Sequence, residues 1–346
     1  MKYLSDVMHG LKLPISYGSV TRYAKLVYLS LLASSALLAH HGIPSVSLAG
    51  VDGPGAPLET TSSATLPEGS VLVYMKEDHA EYKTYTDARD GEALRSDYWM
   101  YGVGYGVTPW LSAYAFLPFY TKAADDANTM SDFHDINLLG VVGFKYDDGL
   151  RLVPSSESLD DMEDWHFTLS FNATLPTGQS DRKDGDGNLI DPGTQTGFGT
   201  PSFMAGVSAT KWFGNAWTFI ADTSYNTFVE NKYFDGTKVR FGDEIRLNMA
   251  TAYNLYGNGA KKLRLDFNME ANFLSLGRDE ENGEEVRATG GNILYFTPGF
   301  RLFIKQSSVA VGLKLPGWKD LNEASEQQGS EGKERYRMLF TFSTLF

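Results

Sequence analysis

Lys262-Leu-Arg-Leu-Asp-Phe-Asn-Met-Glu-Ala-Asn-Phe273 sorts its side chains by parity. Leu263, Leu265, Phe267, Met269, Ala271 and Phe273 fall on one face. Arg264, Asp266, Asn268, Glu270 and Asn272 fall on the other. A helix would mingle the two sets around its circumference, whereas a strand keeps them apart. The same period recurs outward from this stretch. Trp165, Phe167, Leu169, Phe171, Ala173 and Leu175 alternate with polar residues, and Ile245, Leu247, Met249, Thr251, Tyr253 and Leu255 alternate with Arg246, Asn248, Ala250, Ala252 and Asn254. At the chain end Tyr336, Met338, Phe340, Phe342, Thr344 and Phe346 alternate with Arg335, Arg337, Leu339, Thr341 and Ser343.

Weaker alternation runs through 69–79, 97–107, 111–120, 133–147, 201–213, 216–228, 292–304 and 307–315. The total is about twelve strands, an even number that suits an up-and-down closed barrel. Connections alternate in length. Thr108-Pro109-Trp110, Gly214-Asn215, Tyr256-Gly257-Asn258-Gly259 and Lys305-Gln306 are short. The stretches 80–96, 121–132, 176–200, 229–243, 275–291 and 316–334 are long and polar. The turn at 148–163 is longer than its fellows. Short turns on one side and long loops on the other are the barrel pattern of periplasmic and external connections.

Composition narrows the class. The chain has 346 residues, 42% of them hydrophobic and 13% aromatic, so it is not a disordered chain. It has no cysteine, which excludes a disulfide scaffold, a cysteine-ligated metal site and a lipoprotein anchor. A net charge of −13 argues against nucleic acid as a partner. No long uninterrupted apolar run exists, which excludes a bundle of membrane helices but not a membrane barrel.

Residues 1–39 read as a signal peptide: Lys2, Lys12, Arg22 and Lys25 lead into the apolar run 26–39, with cleavage after Ala39 or after Ala36. Residues 40–67 follow as a Gly/Pro-rich arm or plug, and 68–346 as the barrel. Periodicity alone does not say which face of the wall meets oil. Three features favour a lipid-facing apolar side. The polar faces carry bulky ionisable groups in tight rows, an export signal is present, and the chain ends in a strand whose last residue is Phe346. Trp99, Tyr101, Trp110, Trp165, Trp212, Trp217, Tyr253 and Tyr336 lie near strand ends, where a membrane barrel carries its aromatic girdles. The expected fold is therefore all-β, an antiparallel up-and-down transmembrane β-barrel of the bacterial outer membrane. Its partners are outer-membrane lipid and, through Phe346, the machinery that inserts such barrels.

Phe171-Asn-Ala-Thr-Leu-Pro-Thr-Gly178, followed by Gly197-Phe-Gly-Thr-Pro201, resembles a region of the MetA-pathway phenol-degradation family of outer-membrane proteins. Asn292-Ile-Leu-Tyr-Phe-Thr-Pro-Gly299, Leu313-Lys-Leu-Pro316 and Tyr101-Gly-Val-Gly-Tyr-Gly-Val-Thr-Pro-Trp110 fit the same family in the same order. The resemblance covers roughly 95–346. It implies an outer-membrane barrel that moves small hydrophobic compounds, by likeness to fatty-acid and aromatic-hydrocarbon channels. The arm lies outside it.

The inward row holds Asp135, Asn137, His166, Asn172, Asp222, Asn226, Arg246, Asn248, Arg264, Asp266, Asn268, Glu270, Arg301 and Arg337. These residues either line a pore or form a lattice of ion pairs that fills a narrow barrel. Arg246, Arg264, Asp266 and Glu270 are expected to form one network. A hydrolase is not expected, since no Gly-x-Ser-x-Gly is present and His166 is the one inward strand histidine. His40 and His41 would offer an α-amine and imidazoles to copper if cleavage follows Ala39, with His79 as a further ligand. Asp184-Gly-Asp-Gly-Asn188 begins like a calcium loop but has Gln195 where the twelfth-position Glu belongs. No cofactor is expected. The functional expectation is passive passage of small hydrophobic or aromatic compounds. The alternative is a non-transporting structural or partner-binding barrel, with or without a metal-linked N-terminus.

Overall fold

The computed structural model describes residues 46, 51–83, 93–124, 129–160, 162–213, 216–324, 327 and 334–346. The export segment 1–39 and His40 and His41 lie outside the described residues. Twelve antiparallel strands make the wall. They are β1 (Val71–Tyr82), β2 (Ala93–Thr108), β3 (Leu111–Ala124), β4 (Ile136–Tyr146), β5 (Trp165–Leu175) and β6 (Ser202–Phe213). They continue as β7 (Trp217–Phe228), β8 (Glu244–Asn258), β9 (Leu263–Leu276), β10 (Gly291–Ile304), β11 (Ser307–Leu321) and β12 (Glu334–Leu345). Each pairs with its sequence neighbours, and β12 pairs with β1 from Leu72↔Leu345 to Tyr82↔Glu334, which closes the sheet. The terminal residue takes part in that closure, because Phe346 N–H donates to Val71 O at 2.8 Å and Val71 N–H donates to Phe346 O.

The expected phase holds along the wall. On β9 the odd-numbered apolar residues face outward, and Arg264, Asp266, Asn268, Glu270 and Asn272 are buried inside. Val103, Phe171, Met249, Val311 and Met338 are each about half exposed, and together such residues form an outer belt of apolar side chains. Water would penalise a belt of this size, and hydrocarbon would not. Trp217 stacks obliquely on Tyr253 at 4.6 Å between ring centroids on the outer face near the short turns. This is a transmembrane barrel of the bacterial outer membrane.

Two stretches depart from the expected pattern. The strand expected over 133–147 is broken: Thr129–Phe133 pairs only with the far end of β3, and β4 starts at Ile136. His134 and Asp135 lie between the two paired stretches, with the His134 N–H donating to Pro118 O and the Asp135 carboxylate accepting from Gly178 N–H and Phe198 N–H. The long 148–163 turn folds back beneath the barrel, its short strand Leu150–Leu152 pairing with the end of β4. At the other end, the β7–β8 and β9–β10 connections meet in a small separate sheet. The apolar cluster of Phe198, Phe228, Tyr233, Val239 and Phe241 roofs the mouth at that end.

Candidate functional site: an irregular arm seated in the lumen

Residues 51–67 run inside the barrel as a loop whose two ends sit at the short-turn end. At the entry, Asp52 N–H donates to Asp160 Oδ1 at 2.9 Å, and Lys262 Nζ donates to Asp52 Oδ2 at 2.6 Å. At the exit, Gly69 N–H donates to Gly106 O. Between these points the backbone climbs to the middle of the wall and returns. Its apex is Leu58-Glu59-Thr60, at the level of Glu270, seven residues above the start of β9.

An irregular backbone in a closed interior must find partners for its N–H and C=O groups, since no ladder supplies them. Pro54, Pro57 and Pro67 remove three donors from that requirement. The wall supplies partners for many of the others from side chains. Gly55 N–H donates to Thr218 Oγ1 at 2.6 Å, and Arg264 donates to Gly53 O. Arg301 donates to Ala56 O and Pro57 O at 2.9 and 2.6 Å. The Glu270 carboxylate accepts from the N–H groups of Leu58, Glu59 and Thr60, and from the Thr60 hydroxyl at 2.7 Å. Asp222 accepts from Thr61 N–H at 2.6 Å. On the return, Ser63 N–H donates to Thr210 Oγ1 and Leu66 N–H to Ser112 Oγ.

Glu59 is the arm's own charge in this lumen. Its carboxylate bridges Lys76 on β1 and Lys314 on β11, the latter at 2.7 Å. Burial alone would push the Glu59 carboxyl up, but the two ammonium groups hold it below the usual carboxylate range.

Several wall glycines leave room for this path. A Cβ at Gly312 would lie 2.7 Å from Leu58 Cδ2, and one at Gly143 2.7 Å from Thr65 Cγ2. A Cβ at Gly106 would strike the carbonyl of Pro67 at 2.0 Å.

The lumen has two unlike halves. β7 to β10 present polar groups linked sideways, strand to strand. Asn248 donates to Asp222 at 2.9 Å, Asn272 to Asn248 at 3.2 Å, and Thr297 to Asn272 at 2.9 Å. β1 to β4 and β6 instead present Tyr74, Met100, Phe116, Leu139, Val141 and Met204, packed against Ala64 and Leu66 of the arm. The sequence reading missed this apolar half. On β2 and β3 both faces are apolar, so parity carries no information there. The signal present is glycine: Gly102 and Gly104 of β2 stand opposite Phe116 and Tyr114 in register. A Cβ at either glycine would fall 2.4–2.5 Å from the facing ring.

The predicted residues divide as follows. Asp222, Arg264, Glu270 and Arg301 hold the arm. Asn137 and Asn172 bond each other at 3.1 Å, with Thr174 donating to Asn137. Arg337 pairs with Asp78 and with Glu334. Asn226 is buried at the loop end of β7. Asn268 is fully buried; both its amide atoms, Asp266 Oδ2 and Arg264 Nη2 have no hydrogen-bond partner among the described residues.

The single network expected of Arg246, Arg264, Asp266 and Glu270 does not form. Arg264 bonds Asp266 two residues along its own strand at 2.6 Å, Arg246 pairs with Glu244 at 2.9 Å, and Glu270 is taken by the arm. His166 sits near the floor with both ring nitrogens engaged, Nε2 by Glu157 at 2.8 Å and Nδ1 by Asp164 O at 3.0 Å. Neither is open to activate a serine. His79 faces outward beside Asp97 at 2.5 Å. The Asp184 carboxylate closes its own turn by accepting from Asp186 and Asn188, and hydrogen bonds from Asn188 hold its pKa down.

Asp135 is not a pore residue. Its Oδ1 accepts from Gly178 N–H and its Oδ2 from Phe198 N–H, both at 2.8 Å. One carboxylate thus ties the start and the finish of the β5–β6 loop to the wall. The backbones touch there, since a Cβ on Gly197 would lie 2.6 Å from Gly178 C. The profile of the family described as "Putative MetA-pathway of phenol degradation" matches residues 84–317. The chain belongs to this family. Its Leu175-Pro-Thr-Gly178 and Gly197-Phe-Gly199 segments are the two that Asp135 joins, which gives a physical reason for glycine at both.

No curated protein sequence matches the chain. Among solved structures it is similar to an outer membrane channel from Pseudomonas putida F1, at 13% identity and a TM-score of 0.63. That match covers 82% of this chain and 98% of that one. It is also similar to the CymD monoaromatic hydrocarbon channel, at 11% identity and a TM-score of 0.37, covering 81% of this chain and 88% of that one. The first likeness shows the fold.

Proposed function

We propose that this protein is an outer-membrane channel for passive passage of small hydrophobic or aromatic compounds, and that residues 40–67 are its removable plug. The observation that carries the reading is the kind of bond that holds the arm. Its backbone is bound by wall side chains, not by ladder pairing, so it leaves without disturbing a strand. Its seat also leaves Asn268, Asp266 Oδ2 and Arg264 Nη2 without partners among the described residues, and unpaired buried groups of this kind cost about 1–3 kcal/mol each. Departure of the arm would uncover Tyr74, Phe116, Leu139 and Met204, an apolar track suited to an aromatic solute. The family and the channels it resembles point the same way. Residues 1–39 serve export in this reading, and Phe346 serves recognition by the insertion machinery.

The test is solute flux through reconstituted protein with and without 40–66. Higher flux after deletion is expected; equal flux of both forms would reject the gate. An arm-free barrel that passes nothing would favour the alternative, a non-transporting barrel. The filled interior lends that alternative support.

A further inference from the structure

Leu58 and Glu59, at the apex of the arm, fill a hollow in the wall that suits a small amphipathic group. Leu58 lies over Gly299 of β10 and Gly312 of β11, which stand opposite each other in register. A Cβ at Gly299 would fall 2.8 Å from Leu58 Cδ1, and one at Gly312 2.7 Å from Leu58 Cδ2. Glycine inside a strand weakens it, and it marks a place where another group comes close. Ala310 and Leu339 pack with the same side chain, so the floor of the hollow is apolar.

Cations rim this floor. Lys76 and Lys314 are both buried, and each holds a different oxygen of Glu59. Arg301 donates Nε to Ala56 O at 2.9 Å and Nη2 to Pro57 O at 2.6 Å. Two successive carbonyls thus fill its fork as one carboxylate would. The Lys314 ammonium lies 4.7 Å from the centre of the Tyr295 ring, and Tyr74 precedes Lys76 on the inward face of β1. These cations belong to the wall, whereas the anion between the lysines belongs to the arm. Wall acids on neighbouring strands are already paired, Asp78 and Glu334 with Arg337, and Asp266 with Arg264. Glu270, two strands from Lys314, faces the N–H side of the apex and confines an anion to the lysine side.

Resting on the channel reading above, we infer that this hollow is a solute-binding subsite for a small aromatic carboxylate, which Leu58 and Glu59 occupy as a tethered substitute. The carboxylate of the solute takes the place of the Glu59 carboxylate between Lys76 and Lys314. Its ring takes the place of Leu58 against Gly299 and Gly312. Departure of the arm with no anion to follow leaves two ammonium groups uncompensated in the lumen, which is unfavourable. A neutral hydrocarbon fills the hollow but leaves those charges unanswered. An aromatic acid meets both demands, so it competes with the arm and shifts the population toward the open lumen by its differential affinity.

Labelled benzoate is the probe, with benzyl alcohol as its neutral counterpart, and equilibrium dialysis of the full chain in detergent reads the binding. Glu59→Gln should bind benzoate at least about tenfold more tightly than wild type, because the arm's own carboxylate no longer competes. Adding Lys314→Gln should abolish that gain. Adding Lys305→Gln, at an exposed lysine in the β10–β11 turn, should leave it intact. Benzyl alcohol should bind all four forms alike, and each form should keep its gel mobility shift on heating, which reports a folded barrel. Benzoate binding that is equal in wild type and Glu59→Gln, or that survives Lys314→Gln in a folded barrel, overturns the subsite and leaves the channel standing. The channel reading fails separately: unchanged flux of a neutral solute on deletion of 40–66 rejects the gate, whatever benzoate does.

Discussion

The Glu59 carboxylate at the apex of the arm accepts from Lys314 Nζ at 2.7 Å, a contact that joins residues 255 apart in sequence. Lys76 completes the bridge from the strand on the far side of β12. One acidic side chain therefore answers two buried ammonium groups. Removing one partner of a buried ion pair leaves the other uncompensated, at a cost of about 3–5 kcal/mol.

Glu59→Gln should therefore unseat the arm while the barrel stays folded. Planar-bilayer recordings should show a larger or longer-lived open state than wild type, and the gel mobility shift on heating should persist. An unchanged conductance would remove Glu59 as the latch.

Glu270→Ala deletes the acceptor for three arm N–H groups and one hydroxyl. Hydrogen bonds to a charged group contribute about 1.5–3 kcal/mol each, so this change should loosen the apex more than Thr218→Ala, which removes the acceptor of one arm N–H, that of Gly55. Cleavage after Glu59 by a glutamate-specific protease should be fast in Glu270→Ala and slow in wild type. Equal protection would place the arm's stability elsewhere.

Gly312→Val puts side-chain atoms where Leu58 lies, within 2.7 Å of its Cδ2. The variant should open like Glu59→Gln, and Leu58→Ala should restore closure in the double variant. The restoration matters most, because a coupling between two contacting residues separates a steric clash from general damage.

Asp135→Ala releases Gly178 and Phe198 from the wall. The β5–β6 loop should then be cut by trypsin at Arg182 or Lys183 several-fold faster than in wild type, with β-sheet content retained. An unaltered cleavage rate would mean that Lys122, which donates to Gly193 O and Gln195 O, suffices to hold the loop.

The lumen shows where local pattern stops being informative. On β9 the parity of Arg264, Asp266, Asn268 and Glu270 gave their direction outright, because alternate residues of any strand point oppositely whatever surrounds them. On β2 the alternation holds but does not say which side is inward, because Tyr98 and Met100 point inward and Trp99 and Tyr101 outward, and all four are large and largely apolar. It also gave no hint that Glu270 meets Thr60, a residue 210 positions away.

The amino-acid sequence by itself determined most of the strands, the phase of those with one polar face, the approximate count and the family, since period-two alternation and short motifs are properties of neighbours along the chain. The tertiary structure alone decided what the inward residues face. Closing the sheet brings seven strands around one irregular segment, and the buried N–H groups of that segment must then find whichever carboxylate or hydroxyl the curvature has brought opposite them.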